Sequence, residues 1–142
     1  MLTIQQKMYE TTVKAVGGRA GYVESSSPEL RLDIATPKEM GGAGGAGTNP
    51  EQLFAAGYSA CFDSALNMVA RMQKIKHEGT EVNATVSFGK AEDGGFALAV
   101  KMDVLVKGVE RDVAMKLVEE AHNVCPYSRA TRGNIAVELN VI

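Results

Sequence analysis

The chain has 142 residues, a formal charge of −2 and a pI near 5.7, a length that suits one domain, residues 1–142, able to bury about two-thirds of its unfolded surface. The charge supplies no electrostatic reason to expect nucleic acid or an anionic membrane as partner. The opening residues lack a signal-peptide pattern, no transmembrane span is evident, and two cysteines are too few for a secreted disulfide scaffold, so a soluble cytoplasmic protein is expected.

Tyr9, Thr11, Val13 and Ala15 alternate with Glu10, Thr12 and Lys14, the pattern of a half-buried strand. Gly17-Gly18 is a hairpin turn signal, and the return strand begins at Arg19-Ala20-Gly21-Tyr22-Val23. Leu30, Leu32 and Ile34 mark a third strand, followed by a Pro- and Gly-rich loop over residues 36–48. Asn49 then suits an N-cap, Pro50 the first helical position, and Gln52 a capping box. From Leu53 to Ala70 the only charged side chain is Asp63, so a long, buried central helix is expected, ending near His77-Glu78-Gly79.

Val82, Ala84, Val86 and Phe88 form the next period-two set. Asp93-Gly94 turns the chain, and Phe96, Leu98, Val100, Met102, Val104 and Val106 complete a hairpin. A second helix carries Val113, Ala114, Leu117, Val118, Ala121, Val124 and Cys125 on one face, and Pro126 makes Cys125 its boundary. Ile135, Val137, Leu139 and Val141 predict a closing strand. The order β-β-β-α-β-β-α-β with meander-like pairs argues for an α+β fold with mostly antiparallel sheets.

Several features have a bland reading beside a chemical one. Residues Gly42 to Gly47 satisfy G-x-G-x-x-G, but no βαβ unit surrounds them and no P-loop Lys-Ser/Thr follows; a closely packed loop is the reading adopted. His122 and Cys125 lie one helical turn apart and could share a metal, but two ligands do not make a site, so no metal is expected. No cofactor is expected either. Free cysteines are most often small buried hydrophobes. Here, however, Cys61 and Cys125 lie on the core sides of two helices in one domain, so the thiols could meet. A reactive Cys61 needs its thiolate stabilised. The helix dipole cannot do this, because Cys61 is about 16 Å beyond the helix start, and burial raises a thiol pKa. A fixed cation is required. Arg19, isolated from other charges just past a turn, is the best candidate, with Glu51 or Asp63 as its carboxylate partner.

Two segments carry a resemblance that covers essentially the whole chain: Asn49-Pro50-Glu51-Gln52-Leu53-Phe54-Ala55-Ala56-Gly57-Tyr58-Ser59-Ala60-Cys61-Phe62, and Val124-Cys125-Pro126-Tyr127-Ser128. Together with the loop from Pro37 to Thr48 and Thr131-Arg132-Gly133-Asn134, they resemble the organic hydroperoxide resistance (Ohr) proteins of the OsmC/Ohr superfamily. The resemblance implies an intertwined α+β homodimer around the central helix. It further implies a thiol-dependent peroxidase that reduces organic hydroperoxides, fatty acid hydroperoxides included, to alcohols. Cys61 would be the peroxidatic and Cys125 the resolving cysteine, Arg19 and Glu51 an activating pair, and a dihydrolipoyl group on a lipoylated protein the reductant.

Helix arithmetic adds an expectation of its own. Glu51 and Cys61 are ten residues apart, about 15 Å along one helix, so one arginine could hardly touch both; Arg19 and Glu51 are expected to reach Cys61 from the second subunit. The alternatives are an osmotically induced (OsmC-branch) peroxidase of different specificity, an apolar-ligand-binding module with structural cysteines, and a redox sensor signalling through the disulfide. Apolar neighbours such as Phe54, Phe62 and Leu66 are candidates to favour alkyl peroxides over H₂O₂.

Overall fold

The computed structural model describes residues 1–142. The chain resolves into two compact units, Met1–Pro50 and Glu51–Ile142. In the first, strands β1 (Val13–Val16), β2 (Tyr22–Ser25) and β3 (Arg31–Asp33) form an antiparallel meander in which Val16 faces Tyr22 and Tyr22 faces Asp33. The first strand is shorter than its alternation suggests, because β2 offers only four residues to pair with and the ladder stops at Val13–Ser25. A 3-10 turn, Gly18–Ala20, joins β1 to β2 and carries Arg19.

The glycine-rich loop after β3 folds back on itself. Gly42 N–H donates to Pro37 O, Gly44 N–H to Thr36 O and Thr48 N–H to Asp33 O, at 3.0, 3.1 and 2.9 Å. A Cβ on Gly42 would lie 2.1 Å from Thr36 O, so a side chain there has no room. These amides are spent on carbonyls of the loop itself and of the end of β3, as the packed-loop reading expects.

The second unit holds the hydrophobic core. Helix α1 (Pro50–Met72) starts where the cap and proline signals put it. It is followed by the hairpin β4 (Gly79–Lys90) and β5 (Phe96–Lys107), helix α2 (Arg111–Val124), the short helix α3 (Pro126–Thr131) and strand β6 (Val137–Val141). The sheet order is β4-β5-β6. Its hairpin is antiparallel, and β6 runs parallel to β5 with Met102 opposite Leu139. The parallel pairing follows from the connection, since the α2–α3 crossover returns the chain to the end from which β5 started. Architecture and composition of elements are those of an α+β fold.

Alternation along β5 directs Val100, Met102, Val104 and Val106 to one face, and all four are buried. Tyr58, Phe62, Ala65, Leu66, Val69 and Ala70 recur at helical spacing on α1 and pack into the same cluster, as do Leu117, Val118 and Ala121 of α2. A second stripe on α1, Gln52, Ala56, Ala60, Ser64 and Met68, is exposed in the single chain. No helix is long and apolar enough to cross a membrane.

Helix α1 stops at Met72 rather than near residue 77. The stop is a Schellman turn: Lys74 N–H donates to Arg71 O at 3.1 Å and Ile75 N–H to Ala70 O at 2.9 Å. Ile75 packs against the core immediately after it. The position that adopts the left-handed conformation is Lys74, at φ 58°, a place where glycine is usual and whose absence hid the stop in the sequence. Lys74→Gly is therefore expected to raise stability by about 1 kcal/mol, read as a higher denaturant midpoint at unchanged slope.

Candidate active site

Cys61 lies in the middle of α1 and is half-buried, whereas Cys125 is fully buried. Cys125 is the single residue between α2 and α3, with extended backbone at φ −60° and ψ 123°. Pro126 accounts for this geometry: it disfavours helix for the residue before it and suits the first position of the helix after it. The expected boundary at Cys125 is thus present, but the chain re-enters a helix at once. The Sγ atoms of Cys61 and Cys125 are 3.8 Å apart, and both are free thiols. A disulfide bond is about 2.05 Å long, so closure requires the sulfurs to approach by roughly 1.8 Å.

Docking of α3 on α1 brings the thiols together. Gly57 and Tyr58 precede Cys61 by four and three residues, so they share its side of the helix. The ring of Tyr127 covers Gly57, where a Cβ would lie 2.8 Å from Tyr127 Oη. The Tyr58 and Tyr127 rings are 5.6 Å apart, and Phe54 meets Tyr58 edge-on at 6.0 Å. Beneath the rings, Tyr58 Oη lies 2.9 Å from Ser128 Oγ and 3.1 Å from Thr131 Oγ1. Ser128 Oγ also meets His122 Nδ1 at 2.9 Å, and Thr131 Oγ1 donates to Ser128 O at 3.2 Å. Tyr58, Ser128 and Thr131 are buried, and no buried side-chain polar atom lacks a partner. Each such bond contributes about 1 kcal/mol net, but leaving one partner buried and unsatisfied costs about 1–3 kcal/mol.

Burial pushes the Cys61 thiol pKa above its ordinary value. The backbone amide of Tyr127, the second residue of α3, hydrogen-bonds to the sulfur and opposes the rise, while the adjacent Cys125 thiol adds to it. The balance is upward, so reactivity at neutral pH calls for a cation. Of the residues expected to supply one, Arg19 is half-buried in the first unit, where its carbonyl accepts from Thr36 Oγ1 at 3.3 Å. Glu51 is half-buried in the first turn of α1, about 15 Å along the helix from Cys61. Asp63 receives a hydrogen bond from Asn67 Nδ2 at 3.3 Å, within its own helix. Phe62 and Leu66, expected as possible pocket walls, are wholly buried core residues. Phe54 alone of the three borders open space, a groove of about 560 Å³ with a mixed wall in which Phe96, Leu98 and Ile135 stand beside Asp93, Thr131 and Asn134.

Sequence reasoning overlooked Tyr58, Ser128 and the Tyr127 amide, and considered His122 only beside Cys125 as a metal pair. The available signal was Pro126 itself: a proline that ends one helix can start the next, and α3 is what places Ser128 and Tyr127. His122 turns to Ser128, and its imidazole pKa is lowered by burial and by the nearby charge of Arg132. A depressed folded-state pKa means that the unfolded chain binds the proton more readily. Stability from this group is complete above about pH 6.5 and is lost as the pH falls from there through the folded-state value. His122→Asn should flatten that acid limb in denaturant titrations between pH 5 and 8.

The fold and the facing thiols define a family. Residues 42–140 match the model of the OsmC-like proteins, and the chain belongs to that family. Its relatives include the organic hydroperoxide resistance protein OhrA of Bacillus subtilis, 51% identical over 97% of this chain and 99% of that protein. The organic hydroperoxide resistance protein of Xanthomonas axonopodis pv. citri is 45% identical over 99% of each. Among solved structures, an organic hydroperoxide resistance protein from Elizabethkingia anophelis superimposes with a TM-score of 0.92 at 50% identity, covering 96% of this chain and 98% of that one.

Proposed function

We propose that the protein is a cysteine-based peroxidase that reduces organic hydroperoxides, fatty acid hydroperoxides among them, to alcohols. The observation that carries this reading is the pair of free thiols 3.8 Å apart, one half-buried and one fully buried, in a chain about half identical to organic hydroperoxide resistance proteins. The Cys61 thiolate attacks the distal peroxide oxygen. The O–O bond breaks, Cys61 becomes a sulfenic acid, and the alkoxide leaves as the alcohol after taking up a proton. The Cys125 thiol then forms the S–S bond as the S–O bond breaks, and its proton leaves with the oxygen as water. Cys125 is close enough to close the bridge before a second peroxide drives over-oxidation.

Arg19 supplies the positive charge that the buried thiol needs and that the leaving alkoxide also requires, with Glu51 holding the guanidinium by charge-assisted hydrogen bonds. Both act on the Cys61 of a second subunit in an intertwined homodimer. The roughly 15 Å between Glu51 and Cys61 along α1 supports this, as does the exposed stripe of Ala56, Ala60, Ser64 and Met68, which a second copy would cover. The apolar side of the groove beside Phe54, with Phe96, Leu98 and Ile135, favours alkyl peroxides over H₂O₂. A dihydrolipoyl group on a lipoylated protein returns the disulfide to thiols, and the protein works in the cytoplasm.

One equivalent of cumene hydroperoxide should remove both thiols promptly and leave an intramolecular Cys61–Cys125 bridge, faster than H₂O₂ does; persistence of both thiols would make the cysteines structural. In Arg19→Ala the pH profile for alkylation of Cys61 should move upward, the direction that burial and Cys125 impose. The cross-subunit assignment has its own test. Arg19→Ala and Cys61→Ser homodimers should each be inactive, and refolding them as an equal mixture should restore about one quarter of the sites, because half the dimers are mixed and each holds one intact site. If all groups come from one chain, mixing restores none.

A further inference from the structure

His122 is bound twice to the segment on the far side of the joint at Cys125, once to α3 and once to Arg132 just after it. Its Nδ1 meets Ser128 Oγ at 2.9 Å, and its carbonyl accepts from Arg132 Nη2 at 2.6 Å. Ser128 is in turn bound to Tyr58 of α1, one turn before Cys61. The only non-helical residue between the strapped segments is Cys125. Rotation about its backbone would swing α3 against α2 and carry the Cys125 sulfur along an arc, and the His122–Ser128–Tyr58 chain opposes that rotation from both sides. The chain is satisfied with His122 neutral or protonated. A protonated imidazole donates to Ser128, which donates to Tyr58, which donates to Thr131; a neutral Nδ1 accepts from Ser128, which accepts from Tyr58.

We propose that the His122–Ser128–Tyr58 strap is a positioning device for the resolving step: it holds Cys125 at attacking distance and sets the rate of disulfide closure, while leaving the attack of Cys61 on peroxide unaffected. The inference rests on the roles proposed above for the two cysteines. Its physical basis is that the strap anchors the residues on each side of Cys125, whereas Cys61 sits in the continuous hydrogen-bonded run of α1 and needs no strap to hold its place. None of the three residues touches a reacting atom. Their effect is on the approach of roughly 1.8 Å that the sulfurs must make, a step whose rate is sensitive to sub-ångström placement.

The test is rapid-quench kinetics with cumene hydroperoxide on the intact protein, with Cys61 sulfenic acid trapped by dimedone and the disulfide and sulfinic acid measured by mass spectrometry. His122→Leu removes the link to Ser128 at a half-buried site, and Tyr58→Phe removes the single oxygen that meets both Ser128 and Thr131, so both are chosen to keep the fold; thermal melts confirm it. Sulfenic acid formation should stay within about twofold of wild type, while closure slows about tenfold, the effect of losing one hydrogen bond's worth of placement, and sulfinic acid accumulates in excess peroxide. His122→Asn, which can restore a polar atom near the Nδ1 position, should recover most of the closure rate. Closure at the wild-type rate in both variants overturns the strap, as does equal slowing of both steps. Absence of thiol loss in the wild type instead overturns the peroxidase reading, so the two failures are distinguishable.

Discussion

Tyr58, Ser128 and Thr131 bury three hydroxyl groups between α1 and α3, and a hydroxyl withdrawn from water must find a partner inside the protein. The seating of α3 in this structure satisfies all three together. That seating places Tyr127 over Gly57 and brings the Cys125 sulfur to the side of α1 that Cys61 occupies. Apolar burial would press a short helix against α1 in many orientations, because the hydrophobic effect has no direction. The directional bonds select among them, and the distance between the thiols is a consequence.

The electrostatics of Cys61 follow from the same placement. Burial and a second thiol raise its pKa, and the amide of Tyr127 answers only in part. The chain that aligns the two sulfurs therefore makes the first of them a poor nucleophile on its own. A cation is the remaining means of lowering the pKa, and Arg19 with Glu51 is the pair proposed to supply it. In the proposed reading, positioning of the thiols and activation of one of them are separate tasks: α1, α3 and the end of α2 hold the thiols, and activation is proposed for Arg19 and Glu51.

The groove beside Phe54 and the exposed stripe on α1 bear on substrate and assembly in different ways. The groove is open, and its apolar side, with Phe54, Phe96, Leu98 and Ile135, is the part proposed to take an alkyl chain. The stripe, with Ala56, Ala60 and Ser64 as its middle, allows close approach of another backbone. Phe62 and Leu66, attractive as pocket walls when read along a helix, serve the core instead, because the face of α1 that bears them is the one turned to β5 and α2.

Local signals were sufficient for much of this protein. Period-two alternation marked the β4–β5 hairpin and β6, the Asn49-Pro50 sequence marked the start of α1, and the two cysteine segments carried the family. These features are legible because each depends on residues near one another in the chain. The end of α1 was not, since Lys74 takes a conformation that the sequence would lead one to reserve for glycine. The strap from His122 through Ser128 to Tyr58 was not either. Its partners are 6 and 70 residues apart, and no periodicity records which buried hydroxyl will face which. Sequence by itself determined the family, the start of α1 and the strands of the second sheet, but not α3 or the end of α1. Tertiary structure decided that the thiols stand 3.8 Å apart, because that distance is set by how helices distant in sequence satisfy their buried polar groups.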